Sequence, residues 1–209
     1  RVALRLAGLD VTVPGATRKL IAIDRLTIAA GERVALLGVN GAGKSTIVKI
    51  LTGIYQPDEG EITVAGSPTR FPAAIDAARA GVTAIHQETV LFDDLTVAEN
   101  IFLGHAPRGR FGLIDWARMN DEAAALLARV GASVDPKAPL RDLGIASKHL
   151  VAISRALSID ARVVIMDEPT AALSQKEIEE LYDLIERLRA DGKAILFISH
   201  KFDEIFRIA

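Results

Sequence analysis

Gly38-Val39-Asn40-Gly41-Ala42-Gly43-Lys44-Ser45-Thr46 follows the apolar run Val34-Ala35-Leu36-Leu37 and leads into Ile47-Val48-Lys49-Ile50-Leu51. Gly38 to Ser45 matches G-x-x-x-x-G-K-[ST] without a mismatch. The preceding run reads as a buried strand and the following one as a helix, the context this motif requires. Glycines at 38, 41 and 43 allow a tight loop whose backbone N–H groups point inward, and the helix after it turns its positive dipole end toward an anion. Lys44 can reach terminal phosphates and Ser45 a magnesium ion. The bland alternative, a glycine-rich turn with an exposed lysine, meets the pattern by chance in on the order of one such chain in a hundred.

The bulk composition sets limits on the rest. The 209 residues suit one compact domain with room for a subordinate lobe. With 25 Lys and Arg against 27 Asp and Glu, the near-neutral balance argues against a dedicated nucleic-acid surface. The absence of cysteine rules out thiolate metal sites and disulfides. No apolar run approaches bilayer-spanning length and no signal-peptide layout opens the chain, so it is expected to be soluble by itself. A start at Arg1 rather than methionine, and an end at Ile208-Ala209 soon after an apparent strand, suggest a piece of a longer polypeptide.

From Arg1 to Leu37 the pattern reads as several short strands, with Val11-Thr12-Val13, a Pro14-Gly15 turn, Leu26-Thr27-Ile28 and a Gly31-Glu32 turn. A helix from Ser45 is expected to bury Ile47, Val48, Ile50, Leu51 and Ile54. Gln56 to Gly60 should end it before a strand from Glu61 to Ala65, and Gly81 to His86 reads as a strand ending on Gln87. The middle of the chain reads as helical. Thr96-Val97-Ala98-Glu99 is a capping box, Gly104 to Gly112 a loop, and Asp115 to Gly131 aligns Trp116, Met119, Ala123, Leu126, Leu127 and Val130 on one face. A further helix is expected over Ser147 to Ser158. Val163 to Met166 has the continuous apolar character of a strand covered on both faces. Ser174-Gln175-Lys176-Glu177 caps a helix that places Ile178, Leu181, Ile185 and Leu188 inward, Gly192 closes it, and Ala194 to Ile198 returns to the sheet.

A second constellation, Asp167-Glu168, emerges at the end of that buried strand, and sheet ends are where open α/β folds place ligands. Asp167 is positioned to hold magnesium and Glu168 to orient or deprotonate a water attacking a γ-phosphate. Ser199-His200 closes the next strand in the same way, so its imidazole can donate to the same phosphate. Gln87 ends another strand, where a neutral amide near magnesium and water can sense the γ-phosphate. Read singly, His200 and Gln87 are equally well explained as strand-end residues satisfied by backbone.

Together these residues resemble the ATP-binding domain of an ABC transporter, and most of all the ATPase subunits of bacterial carbohydrate importers. The resemblance runs nearly end to end. It rests on the phosphate loop, His86-Gln87-Glu88, Leu95-Thr96-Val97-Ala98-Glu99-Asn100-Ile101-Phe102-Leu103-Gly104, Asp167-Glu168-Pro169-Thr170, Thr170 to Ser174, and Ile198-Ser199-His200-Lys201. It implies a P-loop α/β fold of ABC type. The expected parts are an N-terminal antiparallel β lobe (1–37 and 60–70), a RecA-like parallel core (38–93 and 159–209) and an inserted helical lobe (94–158).

ATP and Mg2+ are the implied ligands. The nucleotide would lie on Gly38, Asn40, Gly41, Ala42, Gly43, Lys44, Ser45 and Thr46, and the metal by Ser45, Gln87 and Asp167. Glu168, His200 and Gln87 would carry hydrolysis. The implied partners are a second ABC ATPase domain, in tandem or as a head-to-tail dimer, two transmembrane permease subunits, and indirectly a sugar-binding protein. The implied location is the cytoplasmic face of a bacterial cell membrane.

Three positions depart from the family pattern. Its Leu-Ser-x-Gly-Gln signature, which caps a partner's nucleotide, reads here Leu143-Gly144-Ile145-Ala146-Ser147, so a hydroxyl donor and a glycine are lost. Ser174 stands where many relatives have aspartate, and is explained first as a helix cap. No aromatic stands at Val13-Pro14-Gly15 to stack adenine, leaving Val13 as an aliphatic rest for the base. Two other functions fit the sequence less well: a non-transport ABC ATPase acting on nucleic acid, and a regulatory domain that holds ATP with little turnover.

Overall fold

The computed structural model describes residues 1–12, 19–39, 41–85, 91–170 and 173–208. Two compact units form, one from 1–86, 161–169 and 185–209, the other from 87–160 and 170–184.

The first unit contains two sheets. Strands β1 (Val2–Thr12), β2 (Lys19–Ala29), β4 (Glu59–Val64) and β5 (Ser67–Thr69) form an antiparallel sheet in the order β2-β1-β4-β5. Strands β3 (Arg33–Leu37), β6 (Val82–Ile85), β7 (Val163–Asp167) and β8 (Ala194–Ser199) form a parallel sheet in the order β3-β8-β7-β6. The expected short N-terminal strands are in fact two strands of 11 residues each. Gly8 does not break β1, because the β1–β4 ladder absorbs the irregularity as a register shift between Ala7 and Asp10.

Helix α1 (Lys44–Leu51) lies in the core shared by the two sheets, its buried Ile47, Val48, Ile50 and Leu51 packed with Leu4, Leu6, Ile62, Ile165 and Leu196. It stops earlier than its apolar pattern suggests. The Thr52 hydroxyl donates to the Val48 carbonyl, and the Ile54 and Tyr55 N–H groups fold back on the Lys49 carbonyl. Ile54 is therefore turned out to solvent. β4 opens two residues before the expected Glu61, because Glu59 already pairs with Asp10. The short α2 (Ala74–Arg79) has no counterpart in the sequence reading. Nor does α7 (Phe202–Ile208), which starts two residues after the strand-end histidine. Asp203 and Glu204 in its first turn are the signal that reading passed over.

The second unit contains α3 (Val97–Ile101), α4 (Trp116–Arg129) and α5 (Ile145–Ser158), together with the first part of α6 (Gln175–Ala190). Val97, Ile101, Met119, Ala123, Leu127 and Val151 make its core. Thr96 and Glu99 cap α3 reciprocally, as the capping box predicts. Ser174 and Glu177 do the same for α6, the Ser174 N–H donating to Glu177 at 2.6 Å. Trp116 does not join the buried stripe of α4. It is the first helical residue, beside the Asp115 cap, and its ring is half-exposed while the stripe begins at Met119. No described helix is long and apolar enough to cross a membrane.

Asn100 is fully buried and stitches the loop before α3 to that helix. Its amide donates to the Phe92 and Thr96 carbonyls at 3.0 and 2.9 Å, and its carbonyl accepts from the Phe92 N–H at 2.8 Å. Asn100→Ala strands these backbone groups away from water and should cost about 2–4 kcal/mol in urea unfolding, while Asn100→Gln should recover little because its extra methylene has no room.

His105 and His149 both sit below the usual histidine range, chiefly because burial disfavours their charged forms. For His105 the Leu103 carbonyl opposes this and Arg155 adds to it; for His149 the nearby Glu177 opposes it. Lowered folded values mean that the unfolded chain takes up protons first, so stability falls as pH drops below about 6.5. Melting temperatures should therefore decline between pH 7.5 and 5.5, and replacing both histidines with glutamine should flatten that decline.

Candidate active site

In the parallel sheet Leu37 pairs with Ser199, Ile198 with Asp167, and Met166 with Ile85. All four strands therefore end within two residues of one another. Whatever follows each strand emerges on one edge: Gly38 after β3, His200 after β8, Glu168 after β7. The strand inserted between β3 and β7 is β8, so His200 is placed between the loop and the two carboxylates. Gly38, Val39 and His200 line one cavity of about 480 Å3 with Leu37 and Phe202. The sequence reading did not single out Phe202, because it missed the helix that carries it.

The loop is held by its own lysine. Lys44 is buried, and its ammonium donates to the carbonyls of Gly38 and of Val39, the latter at 3.1 Å. Two of its three donors thus brace the loop, and the third can meet a phosphate oxygen. Gly43 is the N-cap of α1 with φ 90°, left-handed backbone that a side chain strains. No side chain caps α1 and no acidic residue occupies its first turn. Its leading N–H groups and positive end are therefore kept for an external anion, and Gly41, Ala42, Ser45 and Thr46 lie around that end. These features fit a nucleotide phosphate chain. Ser45 is exposed at the helix start, and Asp167 is the last residue of β7. A hydroxyl and a carboxylate are hard oxygen donors of the type magnesium takes.

Glu168 and His200 are brought together. His200 Nδ1 lies 3.0 Å from Glu168 Oε1, and both side chains are partly exposed. Against an ionised carboxylate the proton belongs on Nδ1, which leaves the Nε2 edge to reach a ligand. Glu168 has φ 50°, left-handed backbone that costs a non-glycine residue roughly 1–2 kcal/mol. Its N–H still donates to the Ile198 carbonyl at 2.9 Å, so the ladder holds the strained residue in place. Strain and the imidazole together aim the carboxylate away from the path of the strand.

Gly144-Ile145-Ala146 stands apart from this edge in sequence and belongs to the other unit. The helix expected from Ser147 begins two residues earlier, with Gly144 as N-cap and Ile145 as its first residue. Glycine is extended there at φ −67° and ψ 165°, a conformation acceptable for a cap, so the missing hydroxyl does not delay the helix. No side chain caps α5, and Ile145 is exposed at its tip. Val13, Asn40 and Gln87 lie outside the described residues.

A family model described as ABC transporter matches residues 23–171. The chain belongs to the ABC transporter family. The ribose import ATP-binding protein of Rhizobium meliloti is 70% identical over 99% of this chain and 41% of its own length. Its counterpart in Streptomyces coelicolor is 50% identical over 97% of this chain and 38% of its own length. This ABC chain therefore spans about two fifths of the length of the curated relatives it matches. Among solved structures, a nucleotide-free ATP-binding cassette of an ABC transporter superposes with a TM-score of 0.85 at 21% identity, covering 100% of this chain and 85% of its own. A dimeric cassette bound to ADP and Pi superposes with a TM-score of 0.80 at 23% identity, covering 98% of this chain and 90% of its own. The expected fold class, a P-loop α/β core of ABC type, is the one observed.

Proposed function

We propose that this chain binds and hydrolyses ATP to power import of a carbohydrate, with ribose the first cargo to test. The observation that carries the reading is the Glu168–His200 pair, emerging on the same sheet edge as the Lys44 loop. Support for the cargo comes from relatives whose names assign them to ribose import. The phosphates rest on Gly38 to Thr46 with Lys44 balancing their charge. Ser45 and Asp167 hold Mg2+, with Gln87 a further donor, and the ion supplies charge neutralisation at the phosphates. Glu168 accepts a proton from, or orients, the attacking water. His200 keeps Glu168 in place through Nδ1 and offers Nε2 to the γ-phosphate. Val13 supports adenine.

In this reading two such domains close head to tail on the nucleotide, a second domain lying in the same longer polypeptide. They work on the cytoplasmic face of the membrane against permease subunits served by a sugar-binding protein. The residues 1–37 and 60–70, 38–93 with 159–209, and 94–158 then act as β lobe, catalytic core and helical lobe. A nucleic-acid role is disfavoured by the near-neutral charge.

In the full-length protein assembled with its permease, Glu168→Gln should lower turnover by about 100-fold or more while leaving Mg-ATP binding intact. Equal turnover by variant and wild type would remove Glu168 from the chemistry. The composite site closed by Gly144-Ile145-Ala146 lacks the serine donor, worth roughly 1.5–3 kcal/mol when it bonds a charged phosphate. Single-turnover hydrolysis should be slower there than in the site built on Lys44, and equal rates would refute the asymmetry.

A further inference from the structure

His200 is flanked by two residues that share one buried carboxylate. Ser199, the last residue of β8, is 2% exposed, and Glu204, in the first turn of α7, is 7% exposed. The Ser199 hydroxyl donates to Glu204 Oε2 at 2.6 Å and accepts the Lys201 N–H at 3.0 Å, so it bridges across His200. Lys201 Nζ sits 3.0 Å from the other oxygen, Glu204 Oε1. A buried carboxylate is costly unless it is hydrogen-bonded and paired, and here both oxygens are engaged with the two neighbours of one histidine. Ser199 is itself fixed by its pairing with Leu37 in the sheet. The His200 side chain takes no part in this arrangement and is the one that reaches Glu168.

We propose that Glu204 is a positioning residue: through Ser199 and Lys201 it clamps the backbone on both sides of His200 and so holds the imidazole on Glu168. The clamp ties the rigid sheet to α7 across the two residues between them, His200 and Lys201. A displacement of about 1 Å in a catalytic group can cost on the order of a hundredfold in rate, so the clamp bears on turnover and not on the phosphate loop. This inference rests on the proposed hydrolytic role of the Glu168–His200 pair.

The test uses the full-length protein assembled with its permease, with Mg-ATP as probe. Glu204→Gln should lower kcat by about 10- to 100-fold with KM for ATP changed by less than about threefold. Made in a His200→Ala background, the same substitution should change kcat by less than about twofold, because its effect passes through the histidine. Ser199→Ala, a smaller perturbation of the fold, should reproduce the pattern. Wild-type kcat in Glu204→Gln, or equal losses with and without His200, would overturn the clamp and leave Glu204 a structural cap of α7.

A second readout does not depend on turnover. The His200 imidazole 15N resonances should shift and broaden in Glu204→Gln and Ser199→Ala relative to wild type, and unchanged resonances would overturn the clamp. Absence of turnover in the wild type would instead refute the hydrolytic reading, while the resonances still decide whether the clamp exists.

Discussion

Every feature of the candidate site depends on the register of the parallel sheet. β7 is buried along all of its length except Asp167, and β8 throughout, so neither strand can slide without exposing apolar residues or stranding ladder hydrogen bonds. Because that register ends β3, β8, β7 and β6 within two residues of one another, residues 38, 168 and 200 share an edge although long stretches of chain separate them. A shift of one residue would carry His200 away from Glu168 and reverse the faces of the strand it follows.

Local strain and local charge act on this frame. The left-handed turn at Gly43 lets β3 pass abruptly into α1, so an uncapped helix end with no acidic first turn is delivered at the sheet edge. At Glu168 the same region of backbone is taken by a residue with a side chain, at a cost that the Ile198 hydrogen bond and the His200 contact offset. In both places a left-handed backbone, free of cost at Gly43 and strained at Glu168, aims a polar group toward the sheet edge. The buried carboxylate of Glu204 belongs to the same economy, since a charge taken out of water is spent on fixing a turn beside the histidine.

The helical unit is built differently. Its helices are defined at their ends by short-range hydrogen bonds, Thr96 with Glu99, Asp115 with the Arg118 N–H, and Ser174 with Glu177. A fully buried amide in it, Asn100, satisfies loop backbone. Where a cap is missing, at Gly144, the helix still forms because its burial begins further along, at Val151, Ala152 and Ile153. A glycine at this cap therefore leaves the local fold intact and places no side-chain donor at the exposed tip.

By itself the sequence determined the strand-loop-helix unit around Lys44, the buried strands, the capping boxes and the strand-end positions of Asp167, Glu168 and His200, because each is written in neighbouring residues whose spacing has a direct physical meaning. It misjudged the length of β1 and β2, the end of α1 at Ile54, the burial of Trp116, the start of α5 and the existence of α7. Those outcomes turn on partners distant in the chain or on the competition between a local pattern and a terminating hydrogen bond. The tertiary structure alone decided that β8 lies between β3 and β7, that His200 therefore meets Glu168, and that Glu204 reaches Ser199 and Lys201. Sheet order and side-chain meeting are set by packing between segments far apart in sequence, and no local pattern carries that information.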